Sequence, residues 1–113
     1  VQDGGLAACP DSPNCVSSFE SDEEHGIQPI RANLRQVEQV LVGLDEANIV
    51  ESSDGYLYAQ FTSRIMRYVV DVEFLEDPSE GVTHVRSASR LGYSDLGANR
   101  SRIENIRSLI SND

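Results

Sequence analysis

Arg67-Tyr68-Val69-Val70-Asp71-Val72-Glu73-Phe74-Leu75 is the stretch whose reading decides the fold. In an extended chain Tyr68, Val70, Val72 and Phe74 share one face, while Val69, Asp71 and Glu73 share the other. A two-residue period rich in β-branched and aromatic residues is a strand with one apolar and one polar face. Upstream, Tyr56 to Thr62 alternates in the same way, with Leu57, Ala59 and Phe61 set against Tyr56, Tyr58 and Gln60. Ser53-Asp54-Gly55 before it is a hairpin turn in which glycine supplies positive φ, and Ala47 to Ser52 is the strand entering that turn. Downstream, Asp77 to Gly81 is a polar turn and Val82 to Ser89 returns as a fourth strand. Short links between consecutive strands imply an antiparallel meander.

Helices flank the meander. Leu34, Val37, Val40, Leu41 and Leu44 form one apolar stripe, with Asn33 as N-cap, Gln36 as its capping-box partner and Gly43 weakening the last turn. A second helix runs from about Asn99 to Ile110 and buries Ile103, Ile106, Leu109 and Ile110. Asn99 is the expected cap of that helix, with Ser101 and Glu104 as an alternative capping box. The expected fold is α+β: a two-layer, four-stranded antiparallel sheet with two helices packed on one face. Its other face carries Asp71, Glu73 and some Tyr and Arg side chains, and is either solvated or covered by a partner. Residues 1–25 lack a period and read as an irregular arm holding a Cys9–Cys15 loop; residues 26–113 read as a single α+β domain.

Charge is divided unevenly along the 113 residues. Val1 to Val85 holds sixteen carboxylates and four arginines; Arg86 to Asp113 holds three carboxylates and five arginines, for a net charge of −10. Such acidity disfavours nucleic acid, whose binding needs a broad basic footprint, and disfavours an anionic membrane surface. No apolar run is long enough to span a bilayer. All nine basic residues are Arg. Genomic composition or a salt-adapted surface is one explanation, and a need for guanidinium forks at some of these positions is another. The chain begins at Val1 without Met or a visible signal peptide, which fits either a mature form that has lost a signal peptide or a trimmed one.

Cys9 and Cys15 are separated by five residues that include Pro10 and Pro13. An even count in a short Pro-bent loop points to a disulfide, with free buried thiols or redox or metal chemistry as the alternatives. His25 and His84 do not fall at familiar ligand spacing, so no metal and no cofactor are expected.

Arg86-Ser87-Ala88-Ser89-Arg90-Leu91-Gly92-Tyr93-Ser94-Asp95-Leu96-Gly97-Ala98-Asn99-Arg100-Ser101-Arg102 is a basic island, dense in hydrogen-bonding groups. Arg86, Arg90, Tyr93, Asp95, Asn99 and Arg100 are its candidate binding residues. In one reading Arg86, Arg90 and Arg100 pair with Asp71, Glu73 and Asp95 and tie the last helix to the sheet, with Arg86 and Arg90 facing Asp71 and Glu73. In the other, Arg90 and Arg100 form a fork for an anion, completed by amides at the helix start. A cation at a helix start is disfavoured by the dipole, which makes Arg100 the better ligand candidate. Ser87, Ser89 and Ser94 are conceivable nucleophiles, but the two histidines show no triad logic, so no catalytic residue is assigned.

Three stretches carry a resemblance: Cys9-Pro10-Asp11-Ser12-Pro13-Asn14-Cys15-Val16-Ser17-Ser18, the Tyr68 to Phe74 strand, and the island from Arg86 to Arg100. Together they strongly resemble the family catalogued as domain of unknown function 1499, from about Leu6 to Leu109. The family pattern has two adjacent aspartates in the central strand, and here the first is Val70. The resemblance implies bacterial and plastid proteins, many exported, and no settled activity. The functional expectation is a non-catalytic exported binding or accessory module in the periplasm or the thylakoid lumen. In a photosynthetic organism it would be an accessory subunit of a membrane complex, with a protein partner. A small-anion or lipid-headgroup binder using the arginine cluster is the alternative, and a hydrolase of unknown type the third.

Overall fold

The computed structural model describes residues 4–12, 14–63, 68–90 and 97–111. Seven elements follow one another: β1 (Cys15–Ser17), α1 (Leu34–Val42), β2 (Ala47–Ser53), β3 (Tyr56–Thr62), β4 (Val69–Asp77), β5 (Val82–Ser89) and α2 (Ala98–Ser111). The strands form one antiparallel sheet in the order β1-β5-β4-β3-β2. The architecture is therefore α+β with two helices, but the sheet has five strands rather than four. The additional strand comes from the stretch read as irregular arm. Three residues are too few to show a period, and all three are buried. Val16 joins the core, while Cys15 and Ser17 point to the opposite face of the sheet, under the N-terminal segment.

Alternation puts Leu57, Ala59, Phe61, Val70, Val72, Phe74 and Val85 on the inner face, where they meet Val37, Val40 and Leu41 of α1 and Ile103 and Ile106 of α2. Tyr68 does not share the face of Val70: it precedes β4 and is 52% exposed. Arg67, the expected start of that strand, lies outside the described residues. Asn33 and Gln36 form the expected capping box, with Gln36 N donating to Asn33 Oδ1 at 2.9 Å and Asn33 N to Gln36 Oε1 at 3.0 Å. Gly55 takes a φ of 78° in the β2–β3 turn, as a tight hairpin requires.

Asn99 does not cap α2. It is the second residue of the helix and is fully buried, and Ser101 lies a further two residues inside, so neither expected cap forms. Arg107 reaches the chain leading into α1: Nη1 donates to Pro29 O and Nη2 to Gln28 O, both at 2.7 Å. These are charge-assisted bonds to carbonyls at a partly exposed site, so Arg107→Ala should cost about 1 kcal/mol in a urea melt rather than nothing.

Cys9 and Cys15 form a disulfide with a Cα–Cα distance of 5.7 Å. The loop it closes is short, so Cys9→Ser combined with Cys15→Ser should lower stability by about 2 kcal/mol, and the denatured, unreduced protein should titrate no free thiol. No helix among the described residues is long and apolar enough to cross a membrane.

Candidate functional site

β5 splits the arginine-rich motif between the two faces of the sheet. Ser87 and Ser89 point inward with Val85, while Arg86 and Ala88 point outward with His84. The motif is therefore two clusters back to back, joined through the strand's backbone.

The inner cluster centres on Asn99. Its Oδ1 accepts from Ser87 Oγ at 2.6 Å and from Arg102 Nη1 at 2.8 Å. Its Nδ2 donates to Asn14 O at 2.9 Å and to Ser89 Oγ at 3.0 Å. Asn14 Nδ2 in turn donates to Ser89 O at 3.0 Å. β1, β5 and α2 are thus knotted by one amide side chain with all its hydrogen-bonding positions used. The network also fixes Arg102, whose guanidinium carbon stands 5.4 Å from the centre of the Phe61 ring. Arg102 and Phe61 line a pocket of about 320 Å³ together with Leu44, Glu46, Asn105 and Ile106.

The outer cluster is a lattice of tyrosines, carboxylates and arginines. Arg90 grips Asp71 with two parallel bonds, Nε to Oδ2 at 2.9 Å and Nη2 to Oδ1 at 3.0 Å. The Tyr58 hydroxyl donates to the same carboxylate, and Gln60 Nε2 donates to Tyr58 at 3.1 Å. The Tyr56 hydroxyl donates to Glu73 at 2.6 Å. Arg86 stands opposite Glu73, with Nη1 3.8 Å from its carboxylate and Nη2 donating to Ala8 O at 3.3 Å. Its buried Nε has no hydrogen-bond partner among the described residues. The Arg90 bonds hold the Asp71 carboxyl below its ordinary range, against burial, with help from Tyr58. Burial, followed by the bond to Glu73, pushes the Tyr56 hydroxyl far up.

Because the folded Asp71 pKa is lowered, its contribution to stability is present above the unfolded carboxyl range and disappears as the pH falls through the folded value. Arg90 and Asp71 are 49% and 27% exposed, so water screens the pair and Arg90→Ala should change stability little. The larger readout is the Asp71 carboxyl resonance in an NMR titration, which should move upward in that variant.

Arg100 lies in the first turn of α2, and its Nη2 reaches Glu23 O at 3.2 Å and Glu24 O at 3.4 Å. The offset sought for a cation at a helix start is thus supplied by carbonyls of the acidic loop. The structure brings Asp71, Glu73, Arg86 and Arg90 together; it sets Asn99 in the inner cluster and Arg100 at the arm. Tyr93 and Asp95 lie outside the described residues, as does Ser94.

Sequence reasoning missed two groupings. Ser18 Oγ lies 2.9 Å from His84 Nδ1, with Asp77 Oδ2 4.0 Å from Nε2. The Ser18 hydroxyl also accepts from Val85 N at 2.9 Å, which makes it a bridge onto β5, and 4.0 Å is too long for the aspartate to orient the ring by a hydrogen bond. Ser87 and Ser89 are spent on Asn99. Asp22, Glu24 and His25 also converge, their side-chain heteroatoms within 4.8 Å of one another, but both ring nitrogens of His25 are already in hydrogen bonds. No signal in the sequence joined Ser18 to His84, which are 66 residues apart.

No curated protein and no solved structure matches the chain. The pattern for the family described as Protein of unknown function (DUF1499) matches residues 5–110. That span takes in the disulfide loop, all five strands and nearly all of α2, so both faces of the β5 motif are features of a chain that belongs to this family.

Proposed function

We propose that the protein is a non-catalytic binding module, exported to an oxidising compartment, that docks a protein partner on the outer face of its sheet. The observation that carries this reading is one row across that face. Register aligns Tyr56 with Leu75 and Leu75 with His84, and Phe19, 45% exposed, stacks on the His84 ring at 4.2 Å between centroids. Both helices cover the inner face, leaving Tyr56, Leu75 and His84 partly exposed on the outer one, with Phe19 the most open of the row. Beside it the charges of Asp71, Glu73, Arg86 and Arg90 already oppose one another within the face, which reduces the penalty for covering them. The net charge of −10 favours a partner with a basic rim. The disulfide supports a compartment such as the periplasm or the thylakoid lumen, and the lumenal reading makes the module an accessory subunit of a membrane complex.

Co-purification from native membranes tests the reading with Leu75→Arg in the row and Gln39→Arg on the exposed side of α1 as control. A stoichiometric partner retained by the wild type and the control, and lost by Leu75→Arg, is the expected result. Retention by both variants, with folding verified by urea melts, overturns it.

A second reading rests on the pocket between α2 and β3. Phe61, Ile106 and Leu44 offer an apolar wall, and Arg102 and Asn105 offer donors, which suits a small ligand with an apolar body and an acceptor head. A rise in melting temperature with octanoate, absent in Arg102→Gln, would favour this reading over docking.

A further inference from the structure

His25 is nearly closed off from solvent in the loop between β1 and α1, at 9% exposure. Its Nδ1 is 2.7 Å from Asp22 Oδ2 and its Nε2 is 3.0 Å from the Ser12 carbonyl oxygen. An ionised carboxylate and a carbonyl only accept. Each ring nitrogen must therefore donate, and an imidazole that donates from both nitrogens is an imidazolium. We propose that His25 is a proton-operated latch: charged, it ties the disulfide loop at Ser12 to the acidic loop at Asp22, and on losing its proton it opens one of those two ties and loosens the turn between them.

The surroundings favour the charged ring. Asp22 and Glu24 face it from its own loop, and the Ser12 carbonyl from the disulfide loop. From α2, Arg100 reaches this loop through the Glu23 and Glu24 carbonyls. Either neutral tautomer sets a lone pair against an acceptor, so one of the two ties must open. The ring has little freedom to turn away. Gly26 N donates to Asp22 O at 2.7 Å, Ser17 N donates to His25 O at 2.8 Å, and a Cβ on Gly26 would stand 2.6 Å from Asp22 O. These bonds close the 22–26 turn tightly behind the ring.

The sign of the pH dependence follows from the geometry. The Ser12 carbonyl, then Asp22, raise the His25 pKa against the opposing effect of burial. A raised folded pKa gives stabilisation that is complete below the unfolded value and is lost as the pH rises through the folded one. The bond from His25 lowers the Asp22 pKa, so that contribution is lost only as the pH falls through the lowered value. The latch is closed between those two limits and opens on the alkaline side at the His25 titration.

Two measurements on the disulfide-intact protein, with EDTA present, test the latch. NMR titration of the His25 ring in native and urea-denatured protein should give a native midpoint above the denatured one, and Asp22→Asn should bring it back down. Hydrogen-exchange protection of the Ser17 and Gly26 amides, corrected for intrinsic rates, should drop across the same midpoint, and His25→Gln should abolish that step. A native midpoint at or below the denatured value overturns the latch, as does flat protection through the midpoint. Asp22→Asn, half exposed at the surface, keeps the test open should His25→Gln fail to fold. No partner enters either measurement, so the result stands apart from the docking proposal.

Discussion

Asn99→Ala should lower stability by about 3–4 kcal/mol, a large fraction of the roughly 5–15 kcal/mol that holds a domain of this kind folded. The figure follows from which partners are stranded. Ser89 N also donates to Asn14 O at 3.0 Å, and Ser87 Oγ lies 3.3 Å from Arg102 Nη1, so part of the network survives the truncation. The Ser87 hydroxyl and one guanidinium N–H nevertheless lose a close acceptor in a buried site, and each such loss costs about 1–3 kcal/mol. Ser108→Ala, on the exposed side of the same helix, removes a local bond to Asn105 O and should stay within about 0.5 kcal/mol of wild type. Urea melts of the two variants check the contrast. Equal midpoints would mean that the inner cluster contributes no net stability.

Ile106→Ala should cost about 2–4 kcal/mol. Ile106 is fully buried at the middle of the α2 stripe, closed in by the sheet and by α1, so little nearby can collapse into the space left behind. Ile110, one turn later and only partly buried, should cost less when truncated. Denaturant unfolding that ranks Ile106→Ala above Ile110→Ala, with unchanged slopes, supports α2 as drawn. The reverse order would place the helix end, rather than its middle, against the core.

The meander and both helices were legible because their signals are local. The β4 alternation fixes which side chains face inward without knowledge of any partner, and the Asn33–Gln36 box is complete within four residues. β1 was not legible, because a three-residue strand has no period and is defined only by pairing with β5. The role of Asn99 was misread for a related reason. An Asn near a helix start has a local use as a cap, and the competing use depends on residues as distant as Asn14. One signal could have found it: alternation already put Ser87 and Ser89 on the face of Val85, and two inward hydroxyls demand buried partners. The Val70 departure can also be placed. Position 70 points into the core and position 71 away from it, so two adjacent aspartates there would stand on opposite faces and could not share one ion.

β1 lies beside β5, which fixes an order of events for a chain made from its N-terminus. The Cys9–Cys15 loop closes within its own seven residues and needs nothing that follows. The strand that contains Cys15 must wait for a partner some seventy residues later, since Cys15 pairs with Ala88. Closing so long a loop is entropically costly until the meander has already shortened it, so β2 to β5 should assemble first and the arm should dock onto the finished edge. Until then β5 presents an open strand edge, and Asn99 has neither Asn14 nor a settled place in the core. The residues of β1, made before the meander, are thus among the last to reach their native contacts, and the newly made protein passes through a stage in which the edge that β1 later covers is open to pairing with other chains.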